Sequence, residues 1–76
     1  MALTVAQIRT DVADVLGEDP ADLPLDENLL DYGLDSIRIM TLVERWRRAH
    51  GTGAGFVELA ERPTIADWAP LLGART

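Results

Sequence analysis

Cysteine is absent from the 76 residues, and with it any disulfide staple, thiolate metal cluster or cysteine nucleophile. Thiol chemistry at this protein therefore has to come from outside the chain. Lysine is absent too, so all seven basic residues are arginines, set against 13 acidic ones for a formal charge of −6. The missing basic footprint argues against nucleic acid or an anionic membrane as partner, and leaves proteins and small molecules. No apolar run approaches the roughly 20 residues that cross a bilayer, and no basic segment leads into an apolar stretch at the N-terminus, so a cytoplasmic location is expected. Length is scarce as well. A chain this short has room for one core and hides only about 60% of the surface its unfolded form exposes, which leaves little space for an enclosed active site. The expectation is a single, monomeric domain over residues 1–76 that is not an autonomous enzyme.

What is present suits a packed fold: 47% of residues are apolar and 26% charged. Thr4 with Gln7 three residues later reads as a capping box, and Leu3 with Ile8 as its hydrophobic staple. Val5, Ile8, Val12, Val15 and Leu16 then recur at helical spacing, which predicts a helix over about 5–16 with a left-handed stop at Gly17. Residues 17–35 carry Gly17, Pro20, Pro24 and Gly33 among many carboxylates, so they read as a long loop pinned by Leu23, Leu25, Leu29, Leu30, Tyr32 and Leu34. Loops of that length are usually functional.

Asp35 is a good N-cap for a second helix over about 36–50, stopped by Gly51. On its wheel Ile39, Leu42, Val43, Trp46 and Ala49 share one face, while Ile37 and Met40 sit off it beside Ser36. One helix thus carries two apolar surfaces, and a small domain has nothing obvious to cover the second. Phe56 to Arg62 predicts a short third helix ended by Pro63, with Phe56 and Ala60 on one face. Thr64 with Asp67 starts a last helix over about 64–72, whose apolar set is Ile65, Trp68, Leu71 and Leu72; Pro70 requires it to be kinked or very short. With no alternating strand pattern, the fold class is all-α: a small four-helix bundle of three main helices plus a short third one.

The run Leu30-Asp31-Tyr32-Gly33-Leu34-Asp35-Ser36-Ile37 puts a hydroxyl in the first turn of a helix, directly after a loop and a carboxylate. Backbone N–H groups and the positive end of the helix dipole favour an anion there, so a phosphodiester on Ser36 is accommodated. Gly33 can take positive φ and present Ser36 outward, and Asp35 can cap the helix or hold a divalent metal during a phosphoryl-type transfer. Asp-Ser is also among the commonest capping dipeptides, and taken alone it reads as structure. Two features shift that balance: the uncovered Ile37 and Met40, and a charge polarity in which residues 11–35 hold nine acidic side chains and no basic one while the second helix is net basic. Trp46, Trp68 and Tyr32 read as core. His50, the one histidine, reads as a favourable residue at a helix C-terminus and not as a metal ligand.

Asp31-Tyr32-Gly33-Leu34-Asp35-Ser36-Ile37 resembles the phosphopantetheine attachment motif of the carrier protein superfamily. Extended through Arg38-Ile39-Met40, Arg45-Trp46-Arg47, His50-Gly51, Phe56-Val57-Glu58-Leu59-Ala60 and Pro63-Thr64-Ile65, it is similar to the aryl carrier proteins of non-ribosomal peptide synthesis, including the carrier domain fused to isochorismatase in catechol siderophore pathways. Pro70 departs from the family's usual last helix. The resemblance implies an acyl-carrier-protein-like fold and a 4′-phosphopantetheine arm moved onto Ser36 by a phosphopantetheinyl transferase with Mg²⁺. It implies an aryl-acid adenylating enzyme that loads the arm and a condensation domain or other downstream synthetase that unloads it. The chain then catalyses nothing, Asp35 contacts the transferase or its metal, and Ile37, Met40, Phe56 and Ala60 meet the partners. Core packing is the competing reading for Ile37 and Phe56. Other functions left open are a peptidyl or acyl carrier of another pathway, although the basic second helix speaks against the fatty-acid type, and a non-covalent helical interaction module.

Overall fold

The computed structural model describes residues 3–51 and 54–74. Among them, four α-helices run in the order α1 (Val5–Leu16), α2 (Ser36–His50), α3 (Phe56–Glu61) and α4 (Ile65–Leu71). Each boundary has a local cause. The Thr4 hydroxyl accepts the Gln7 N–H at 3.0 Å, and Gly17 at φ 70° ends α1 by donating back to Ala13 and Asp14. Asp35 opens α2 and Gly51 at φ 65° closes it, with Arg47, Arg48 and His50 in the last turn where cations suit the helix dipole. The expected capping box at α1 is only half made: the Gln7 amide donates to Asp11 at 2.9 Å instead of reaching back to Thr4, because a full turn forward offers it a carboxylate.

The two tryptophans organise the core. Trp46 on α2 and Trp68 on α4 are fully buried and meet edge to face, with ring centroids 5.9 Å apart. Each indole N–H finds a partner on a different helix, Asp11 Oδ2 of α1 at 2.7 Å for Trp46 and the Leu59 carbonyl of α3 at 2.9 Å for Trp68. One aromatic pair thereby ties all four helices together and leaves no indole donor orphaned. Ile8, Val12, Leu42, Leu59 and Ile65 complete the surrounding apolar cluster.

The segment between α1 and α2 is more ordered than the expected loop. It contains two short 3-10 helices, Pro20–Asp22 and Leu29–Tyr32, opened by the side chains of Asp19 and Asn28. Leu23, Leu29 and Leu34 are buried, and backbone bonds from Leu29 to the Pro63 carbonyl and from Ala66 to the Leu25 carbonyl strap the segment onto the α3–α4 junction. Leu25 and Leu30, expected as anchors, are exposed: Leu25 lies in the bend between the two 3-10 helices, and Leu30 follows the buried Leu29 in a tight 3-10 turn that cannot point consecutive side chains the same way.

Other expectations are corrected in the same way. Ala49 on α2 and Leu71 on α4 face solvent, because α3 and the α3–α4 turn reach only part of each wheel, whereas Ala13, unremarked by pattern, is buried. The third and fourth helices end one residue short of the expected bounds, at Glu61 and Leu71, the former with Arg62 as its cap before Pro63. Pro70 is inside α4, but it lies one residue from the helix end on the exposed side, so only one ladder bond is forgone and Leu72 N–H still reaches the Trp68 carbonyl at 2.9 Å.

Candidate functional site

Ser36 is the first residue of α2 and is exposed. Its position is fixed from both sides. Upstream, Leu29 and Leu34 are sunk in the core, and between them Gly33 turns at φ 96°, a left-handed conformation in which its N–H returns to the Leu29 and Leu30 carbonyls. No side chain blocks a Cβ there; the constraint is the backbone angle, which any other residue would adopt only under strain. Downstream, Ile39, Leu42 and Trp46 seat α2 in the core. The hydroxyl therefore projects from a rigid corner between a plugged turn and an anchored helix.

Asp35 caps that corner. Its Oδ1 accepts the Arg38 N–H at 2.9 Å and its Oδ2 pairs with Arg38 Nη1 at 2.7 Å. Ile39 N–H is taken by the Asp35 carbonyl. Among the described residues the N–H groups of Ser36 and Ile37 have no protein partner, so the helix start offers two free donors beside the hydroxyl. A covalently held phosphodiester fits this donor set: its anionic oxygens would meet free N–H groups and the positive end of a 15-residue helix. Among the described residues no group of three or more histidine or acidic side chains could hold a metal.

An open groove runs from Ser36 along α2, lined by Ile37, Met40, Thr41, Glu44 and Arg48. Ile37 is 78% and Met40 46% exposed, so both stand clear of the core as their wheel positions require. Phe56 and Ala60 stand differently: they are half-buried and pack against the core cluster, because α3 turns that face toward Leu59 and its neighbours. The apolar residue that α3 does expose is Val57, at 63%, and Leu30 at 52% stands on the segment leading into α2. Neither is expected from sequence to be exposed, and Leu30 reads there as a core anchor. For Val57 the signal existed, since it lies about 100° around the wheel from Phe56 and Leu59 follows on the inner face; for Leu30 a 3-10 turn had to be known first. Tyr32 packs partly buried against the core, as its aromatic bulk led one to expect.

Comparisons with known proteins agree with this geometry. A family model described as "phosphopantetheine attachment site" matches residues 6–72. The chain is 56% identical over 73 residues to an isochorismatase of Bacillus subtilis (strain 168), covering 96% of this chain and 23% of that protein. It is 47% identical over 73 residues to acyl carrier protein ScoB of Streptomyces coeruleorubidus, covering 96% of this chain and 85% of that one. A solved structure, the HMG-ACPI domain from the CurA module of Lyngbya majuscula, superposes with a TM-score of 0.73 at 21% identity over 91% of this chain and 68% of its own, which shows the fold. The chain thus spans about a quarter of the isochorismatase and most of the acyl carrier protein. A family match over residues 6–72, an all-helical fold of the acyl carrier type and an exposed serine at an anion-accepting helix start converge: the chain belongs to the phosphopantetheine attachment family, the carrier proteins whose cofactor is covalently held 4′-phosphopantetheine.

Proposed function

We propose that the protein is an aryl carrier: Ser36 bears the phosphopantetheine, and the loaded domain passes an aryl acid from an adenylating enzyme to a condensing partner in non-ribosomal peptide or siderophore assembly. The observation that carries this reading is the exposed Ser36 hydroxyl at the start of α2, with free N–H groups beside it and exposed Ile37 and Met40 next along the groove. In the attachment step Ser36 Oγ loses its proton and gains an O–P bond, while the P–O bond joining phosphopantetheine to the nucleotide half of coenzyme A breaks. The arm supplies the thiol that a cysteine-free chain lacks, and holds the acyl group as a thioester. The chain's own part is non-catalytic. The only histidine, His50, is fourteen residues from Ser36 along one helix, about 21 Å by helical rise, so no histidine of this chain serves the serine as a triad base.

Aryl cargo is supported by the sequence blocks shared with aryl carriers and by the 56% identity to an isochorismatase protein. Weak, exchangeable docking is required of a domain that visits several enzymes in turn, and a small apolar patch on a helix start suits it. Ile37 and Met40 form its centre; Val57 is the apolar residue that α3 exposes and a candidate addition to it, and Phe56 and Ala60, half-buried against the core, offer the partners only their outer edges. Asp35, half exposed, is the residue the transferase or its Mg²⁺ meets first. The test is intact mass after incubation with coenzyme A, Mg²⁺ and a broad-specificity phosphopantetheinyl transferase: one arm is gained by the wild type and none by Ser36→Ala. A mass unchanged in the wild type, or gained equally by the variant, ends the carrier reading. Offering aryl acids and amino acids with their adenylating enzymes then tests the cargo; thioester formation with amino acids alone would make it a peptidyl carrier.

A further inference from the structure

Arg38 makes three connections, of which the first is the N-cap bond of α2 and the other two, made by its guanidinium, are not required by helix formation. Its backbone N–H is held by Asp35 Oδ1 at 2.9 Å, its Nη1 by Asp35 Oδ2 at 2.7 Å, and its Nε donates to the Val15 carbonyl at 3.1 Å. Val15 lies in the last turn of α1, where carbonyls have no partner within their own helix. A single guanidinium therefore bridges the end of α1 and the cap of α2, and it does so at the residue immediately before Ser36. A fork of five fixed donors can serve a carboxylate and a carbonyl at once; few side chains can. The remaining arginines of α2 form different links: Arg45 pairs with Asp11 and Asp14, and Arg47 and Arg48 pair with Glu44.

We propose that Arg38 is a positioning residue for modification of Ser36: it latches the Asp35 carboxylate to the end of α1, so that the cap, the first turn of α2 and the serine hydroxyl keep one arrangement in the free protein. The inference rests on the carrier reading above for its functional meaning and on the three bonds for its structure. Without the guanidinium, Asp35 retains only the backbone bond to residue 38, and its side chain is free to leave the cap. The protein then spends part of its time with Ser36 misplaced. A transferase binding only the competent arrangement meets a lowered effective concentration, which raises KM for the carrier without changing the chemical step.

The test compares wild type, Arg38→Ala, Asp35→Ala and the double variant as substrates of the phosphopantetheinyl transferase, each first shown by circular dichroism to be helical at the assay temperature. Arg38→Ala is expected to raise KM about five-fold with kcat unchanged. The double variant should do no worse than Asp35→Ala alone, because Arg38 acts through Asp35. A fall in kcat at constant KM, or losses that multiply in the double variant, would show that Arg38 touches the enzyme directly and would overturn the latch. Amide exchange read by NMR on the unmodified chain supplies a measure independent of any transferase. The Arg38→Ala variant should exchange the residue-38 N–H about ten-fold faster than wild type while core amides such as that of Leu42 change by less than about two-fold. Unchanged protection of that amide sinks the latch even if Ser36 is modified. If the wild type gains no arm, the carrier reading fails by itself, and the latch stands or falls on exchange alone.

Discussion

The two apolar faces of α2 are chemically alike and physically opposite. Ile39, Leu42 and Trp46 are at most 3% exposed, whereas Ile37 and Met40 on the same helix are 78% and 46% exposed. Residue type does not separate them, since an isoleucine stands on each side. What separates them is neighbours: the inner face meets α1, α3 and the Trp68 ring, and the outer one meets an open groove. The inner face therefore stabilises the fold, while the outer face remains available to whatever visits Ser36.

Breaking the inner face should do the most damage. Trp46→Ala removes the partner of Trp68 and leaves Asp11 Oδ2 without its indole donor, and should cost about 3–5 kcal/mol, enough to unfold a domain of this size; thermal melting followed by circular dichroism reads it. Gly33→Ala sits on the boundary between the regions. Nothing lies within 4 Å of the added Cβ, so the cost is the left-handed backbone alone, about 1–2 kcal/mol, visible as a lowered Tm with helicity kept. Asp35→Ala removes the cap and should cost about 1 kcal/mol, checked by urea unfolding at constant m. Smallest in stability is the outer face. Met40→Glu should shift unfolding by no more than about 0.5 kcal/mol, yet slow acyl transfer from the loading enzyme, measured as thioester formed per unit time. A Met40→Glu protein that loses helicity would place that side chain in the core and erase the contrast between the faces.

The same contrast marks how far the sequence could be read. Caps were legible because they are made between residues a few positions apart: Thr4 with Gln7, Asp35 with Arg38 and Thr64 with Asp67 all close as their spacing requires. Left-handed stops were legible because only glycine takes those angles cheaply, and Gly17, Gly33 and Gly51 all do. Ser36 followed from its cap and its turn. Sidedness was harder. Leu25, Leu30, Ala49 and Leu71 looked like core by composition and are exposed, while Phe56 and Ala60, read as an extension of the partner patch with core packing as the competing reading for Phe56, are half-buried against the core, and Val57 is the residue of α3 that stands outward. Arg38 reaching Val15 across 23 positions left no trace in local pattern at all.

By itself the sequence determined where α1 and α2 begin and end and which hydroxyl stands at the start of α2, because those outcomes are settled by hydrogen bonds and backbone angles within a turn or two of chain. Only the tertiary structure decided which apolar side chains are covered and which guanidinium holds the cap. Burial and long-range bonding belong to pairs of surfaces, and no stretch of chain carries its partner's surface within itself.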